Sequence, residues 1–354
     1  MAGLGDPPGG TPDGAPGGGE DEYRSVVFDE SFVRAARLQE FSARERMADH
    51  TPAVRRRAPL HRGLTRQALV LVVLIAVAFG TAIYMGVRHP YQSPSARPAE
   101  PVRMTVVPLA PQGRVPGAED VARLYDHSPA ARFRSGAEGV PLPDARRTAH
   151  FSDDQVMSAL TTARSYVVRS SLDPGVLGGG EVRSVRTLLD PEQLDQFDAS
   201  FGRPAADGRH APTGWLVRFD PARAELADDE IRVRGSLRAE ESDASTLEVT
   251  ADHTIVYPLR AAGEERAEAS LFTVRRELRF RFDRDDLRLH QTQLVATHVQ
   301  AGPLSCAEDS ANHLRPLLAG QTARTGGPAG TDPYTADSAT ALCGTLAKGA
   351  QPTP

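Results

Sequence analysis

The chain has 354 residues and a formal charge of −5, with 41 basic against 46 acidic side chains. That length allows one or two domains, and a slightly acidic balance argues against a general nucleic-acid binder. The two cysteines have no zinc or redox spacing, and no pair of the 10 histidines has a metal-binding spacing.

Residues 1–20 are Gly, Pro, Asp and Ala with almost nothing to bury, so disorder is expected. Residues 21–66 differ. Asp29 or Ser31 can cap a helix in which Phe28, Phe32, Ala36 and Met47 share one face, with Arg34, Arg37 and Arg44 opposite. A lone helix of this length is marginal in water, so the face is expected to dock on a partner protein. The anionic inner leaflet of a membrane and a plain spacer are the rival readings. Thr51 and Pro52 end the helix, and Arg55, Arg56, Arg57, Arg62 and Arg66 follow with no acid after Asp49.

Residues 67–87 read as a transmembrane helix: from Ala68 to Val87 there is no charge, and about 20 apolar residues span the hydrocarbon core. The arginine cluster before it places the N-terminus in the cytoplasm and the bulk of the chain outside. A cleaved signal peptide is the rival, disfavoured by the long preceding region and the length of the run. Residues 88–145 are rich in Pro and Gly with one short apolar piece at Met104. They read as a stalk carrying at most an edge strand.

Residues 146–303 carry the periodicities of a folded α+β domain. Ser152 and Gln155 form a capping box, and Val156, Ala159, Leu160, Ala163, Tyr166 and Val167 recur at helical spacing. A second helix is expected over 182–189 and a third after Asp190-Pro191, with Leu194 and Phe197 inward. The period then changes to two at Trp215, Val217 and Phe219, again along 231–238, 247–259 and 272–282, and in a last strand, 287–300, after a turn at Asp283. These strands predict an antiparallel meander with one wet face and the helices covering the other. Residues 304–354 form a tail in which Cys306 and Cys343, both on the outer side, are expected to pair. The bridge closes a loop of about 38 residues and contributes on the order of 4 kcal/mol in the chain-entropy model.

No constellation of catalytic residues stands out. His253 falls on the inward face of its strand and reads as a hydrogen-bonded core histidine. His290 and His298 are expected on one strand face. Arg275, Arg276, Arg279 and Arg281 read as an outward basic stripe, solvated or facing an anionic wall polymer. No metal or other cofactor is called for.

The order of elements over 150–300, helices first and then a long curved antiparallel sheet, resembles the NTF2-like (cystatin-like) superfamily. This resemblance implies a docking or scaffolding unit of a membrane-anchored envelope protein, although the superfamily also contains enzymes, and no motif transfers functional residues. The stretch from Val27 to Met47 followed by an arginine-rich anchor is similar to a family of streptomycete bitopic membrane proteins, some linked to the spore-wall synthesis complex. One lysine among the 41 basic residues and heavy Ala, Gly and Pro use fit a GC-rich actinobacterial genome. The expectation is a non-enzymatic single-pass scaffold of the cell membrane, binding protein partners of the envelope machinery on both sides. Only weak contact with anionic lipid or wall polymer, and none with nucleic acid, is expected. An outer ligand- or wall-polymer-binding sensor and an NTF2-like enzyme are the alternatives.

Overall fold

The structure is a computed structural model that describes residues 66–88, 100–323, 329–335 and 343–352. Phe28, Phe32, Ala36, Met47, Arg55, Arg56, Arg57 and Arg62 lie outside the described residues. The chain forms two units, divided after Tyr91.

In the first unit, helix α1 (Arg66–Arg88) runs for 23 residues, about 35 Å at 1.5 Å per residue. Arg66 is its first residue. Its described large apolar side chains are exposed: Leu71 is 59%, Phe79 67% and Ile83 63% exposed. The Thr81 hydroxyl donates back to the Val77 and Ala78 carbonyls at 2.8 and 2.9 Å, so it needs no partner off the helix. Among the described residues, no helix is long and apolar enough to cross a membrane. The side chains described in α1 are those of Arg66 and 68–84, which stop short of the end of the uncharged run.

The second unit is an α+β fold. Its elements in chain order are β1 (Arg103–Ala110), α2 (Val121–Asp126), β2 (Arg134–Ser135), α3 (Asp153–Ser171), α4 (Pro174–Leu177), α5 (Arg183–Arg186), α6 (Leu194–Gly202), α7 (Pro212–Trp215), β3 (Ala224–Leu226), β4 (Arg232–Asp243), β5 (Thr246–Ala261), β6 (Ser270–Phe282), α8 (Arg284–Leu289), β7 (Gln293–Gly302), β8 (Ala329–Thr331) and β9 (Gly344–Leu346). The strands lie in the order β2-β4-β5-β6-β7-β1-β9-β8, with β3 on the end of β5. Strands β4 to β7 form the expected antiparallel meander. The sheet is nevertheless mixed, because β1 runs parallel to both β7 and β9.

β1 is the main departure from the sequence reading. The expected stalk contains an interior strand: Val102, Met104, Val107 and Leu109 are all buried. Proline is tolerated there because Pro108 sits where β1 passes from its β7 partner to its β9 partner. Close approach also shapes this corner, since a Cβ on Gly302 would lie 2.5 Å from the Leu109 carbonyl oxygen.

Three local expectations change for stated reasons. The Asp283 carboxylate accepts from the Asp285 and Asp286 amides, so the expected turn nucleates α8 and the strand starts only at Gln293. Trp215 closes α7, and the amides of Val217 and Phe219 bond the Ser170 and Leu177 carbonyls at helix ends rather than a strand. The helix expected over 182–189 contracts to α5. The Ser152–Gln155 capping box and α3 stand as read.

The main core lies between α3 with its neighbours and the inward residues of β4–β7. The other sheet face is also partly covered. Leu124, Tyr125, Ala130 and Phe133 pack on Val256, Ala269 and Leu271, and Leu346 and Ala350 of the tail pack on Val107 and Leu109. The Cys306–Cys343 disulfide, Cα–Cα 5.8 Å, ties the chain just before β9 to the loop after β7. Replacing both cysteines by Ser should lower unfolding free energy by up to about 4 kcal/mol, read as a lower urea midpoint. An unchanged midpoint would mean that the tail is held by packing alone.

Candidate functional site

The most unusual chemistry of the second unit lies inside it. On β6 the inward residues are Phe272, Val274, Leu278, Phe280 and Phe282, and the period of two puts Arg276 among them. Arg276 is 1% exposed. The sequence reading placed it in an outward stripe with Arg275, but adjacent strand residues face opposite ways. Arg275 does point outward, yet it too is buried, forked onto Asp252 at 2.9 and 2.7 Å and bonded to the Thr335 carbonyl.

Arg276 is neutralised by dipoles. Its Nη1 donates to the Ser170 and Ser171 hydroxyls at 2.8 and 2.7 Å, and its Nη2 to the Gly214 and Trp215 carbonyls at 3.1 and 2.8 Å. The two hydroxyls belong to the last residues of α3 and the two carbonyls to the last residues of α7, where the carbonyls of a helix end carry partial negative charge. Burial pushes the guanidinium pKa down, and the nearby Tyr166 and Tyr257 offset part of that.

The same acceptors are tied further. The Tyr166 hydroxyl donates to the Trp215 carbonyl at 2.9 Å and Tyr257 to the Ser171 carbonyl at 2.8 Å. Burial raises both phenols well above the ordinary tyrosine value, so they stay protonated donors. The Trp215 indole donates to Ser200 at 2.9 Å, Ser200 donates to the Gln196 carbonyl at 2.8 Å, and the Gln196 side chain takes the Val102 amide at 2.8 Å. A continuous polar network thus runs from the middle of the sheet to the start of β1.

His253 is the cross-strand partner of both Arg276 and Gly235. It is buried as expected, but the expected hydrogen bonds are missing: both ring nitrogens, like Arg276 Nε, are buried without a partner. Burial lowers its pKa to about 4, with Arg276 adding to the lowering against Asp252, so the ring is neutral near pH 7. Gly235 makes the room, since a Cβ there would lie 2.3 Å from the ring carbon Cδ2.

A second buried group lies at the α8 corner. Asp286 is 3% exposed, and its Oδ2 accepts from the Asp283 amide at 3.1 Å. Asp190, held at Oδ2 by the Gln293 amide at 3.3 Å, is its carboxyl neighbour. Burial and the charges of Asp283 and Asp190 raise Asp286 to about 8, so its carboxyl is protonated near neutrality.

The remaining candidates do not converge. His290 holds the left-handed C-cap of α8, φ 54°, with Ser158 Oγ 3.3 Å from its Nδ1, and is not on the strand of His298. Burial lowers the pKa of His298. A cleft of about 440 Å³ lies beside α2, between Glu119, Arg123, His127 and Glu268, and one of about 280 Å³ lies between Glu100, Glu192, Arg209 and His210. No group of His, Cys, Asp or Glu among the described residues is arranged to hold a metal. No family model, no curated protein and no solved structure matches the chain.

Two predictions come from these groups. Arg276→Met keeps most of the volume and removes every donor, leaving buried acceptors such as the Gly214 carbonyl unpaired, so it should cost about 1–3 kcal/mol, with Arg276→Lys intermediate. Fluorescence of Trp215, the only tryptophan, reports the urea unfolding, and a Met variant as stable as the parent would contradict the clamp. Asp286 binds its proton more tightly when folded, so it makes stability fall as pH rises from about 4 to about 8 and level off above. Asp286→Asn should remove that slope and stabilise the protein at pH 8, and an unchanged slope would refute the protonated Asp286 carboxyl.

Proposed function

We propose that this chain is a single-pass cell-membrane protein with a cytoplasmic N-terminus. Its α+β unit would lie outside the cell, as a non-enzymatic scaffold linking cytoplasmic and outer partners in cell-wall or spore-wall synthesis. The observation that carries the reading is the uncharged run 68–87, whose described large apolar side chains in α1 are exposed all round. Such a surface is unstable in water and matched to lipid. The arginines 55–66 support the orientation. A disulfide in the C-terminal part suits an oxidising compartment.

A structural role for the outer unit is supported by how its buried polar groups are used. The four terminal donors of Arg276 and the hydroxyls of Tyr166, Tyr257 and Ser200 are all spent on the protein's own backbone and side chains. The NTF2-like assignment is supported by the helices-first order and the meander, while the parallel strands β1 and β9 depart from it. Inside the cell, the face of Phe28, Phe32, Ala36 and Met47 is the proposed partner contact.

Alkaline phosphatase fused after Pro354 tests the arrangement on which the rest depends. The fusion is expected to be active in intact cells and membrane-bound. An inactive fusion with an active cytoplasmic reporter in its place, or an active fusion released in soluble form, would refute it.

A further inference from the structure

The sheet keeps one edge open. β2 pairs β4 only at Arg134↔Val233 and Ser135↔Arg232. The Gly136 amide donates to the Ile231 carbonyl at 2.7 Å on that side, so odd-numbered residues of β4 aim their N–H and C=O groups at this edge. Beyond Val233 these are Gly235, Leu237 and Ala239, and among the described residues no backbone group meets them there. The even-numbered side chains Arg234, Ser236, Arg238 and Glu240 are exposed on the outer face. An open edge of this length is a template for another strand.

We propose that β4 is the docking strand for a second copy of this chain, the two edges pairing antiparallel about a two-fold axis at Leu237. Charge selects both the partner and the register. With the axis at Leu237, Arg234 of each copy faces Glu240 of the other, and Gly235 faces Ala239 inside. Gly235, Leu237 and Ala239 then exchange about six hydrogen bonds across the axis. An axis at Arg238 sets arginine against arginine, which is destabilising. An axis at Ala239 needs Gly235 to pair with Asp243, across the irregularity between Glu241 and Asp243. The Leu237 register ends before that irregularity and stops at Val233, where β2 takes over. Charges that guard an edge against pairing repel their own kind, whereas these match under a two-fold axis. The inference stands whether or not α1 crosses a membrane.

Light scattering on the full-length protein in detergent gives its mass. The parent should have the mass of two chains. Ala239→Pro removes an edge donor and no bond to β5, because the Ala239 groups face away from it, and should halve the mass while Trp215 fluorescence stays native. Arg234→Glu, which sets Glu against Glu, should also give one chain. Arg234→Glu with Glu240→Arg should restore two, although both variants lose the Arg234 contact with the Phe133 ring, 4.4 Å away, and its hydrogen bond to the Tyr334 carbonyl at 3.3 Å. If Ala239→Pro fails to fold, the single and double reversals decide. A parent of single-chain mass, a folded Ala239→Pro variant that keeps the mass of two, or a double reversal that stays at one would overturn the proposal.

Discussion

One buried guanidinium sets the terms for the second unit. A charge taken out of water costs several kcal/mol unless polar groups surround it. Here they are the spent ends of two helices. For Ser170, Ser171, Gly214 and Trp215 to meet Arg276, α3 must stop against the middle of β6 and α7 must stop beside it. The chain leaving α7 then bonds back to the end of α3, as the Val217 amide does to the Ser170 carbonyl. A hydrophobic core can slide, but an arginine with four fixed acceptors cannot, so the helical layer has one position on the sheet.

The second constraint is coverage of the opposite face. β1 is flanked by β7 and β9, so it lies inside the sheet, and its outward residues Val107 and Leu109 need a lid. Residues 344–350 supply it, and the Cys306–Cys343 bridge limits how far that lid can move. Tyr334 donates to or accepts from Thr273 at 2.9 Å, and the Pro333 carbonyl accepts from Thr254 at 3.0 Å, so the tail extends the cover over β5 and β6. β1 and the C-terminal tail therefore bury one another.

Much of this was legible in the sequence where a single physical rule dominates. The Ser152–Gln155 box marks α3, and strict alternation marks β5 and β6. The charge of Arg276 suggests solvent, but its parity on β6 decides its place. The even numbering that puts Phe272 and Phe280 inward puts it there too. β1 was hidden because a short apolar run between prolines reads as linker, and only long-range pairing with β7 shows otherwise. Asp283 was read as a turn former, which it is, but its carboxylate also caps a helix. Trp215, Val217 and Phe219 alternate because the chain passes between two helix ends and the core, a setting that copies a strand's period without a ladder. The lack of hydrogen bonds to His253 depends on Gly235 and Arg276 across two strands, which no local pattern shows.

The terminal donors of Arg276 and the hydroxyls around them hold the helical layer on the sheet. Solution NMR of the Arg276 side chain, labelled with nitrogen-15, tests this most directly. The account predicts separate Nη proton signals, because four fixed acceptors stop rotation of the guanidinium, and slow exchange with solvent. A single averaged Nη signal in rapid exchange would show an arginine open to solvent or ligand, and would contradict the clamp.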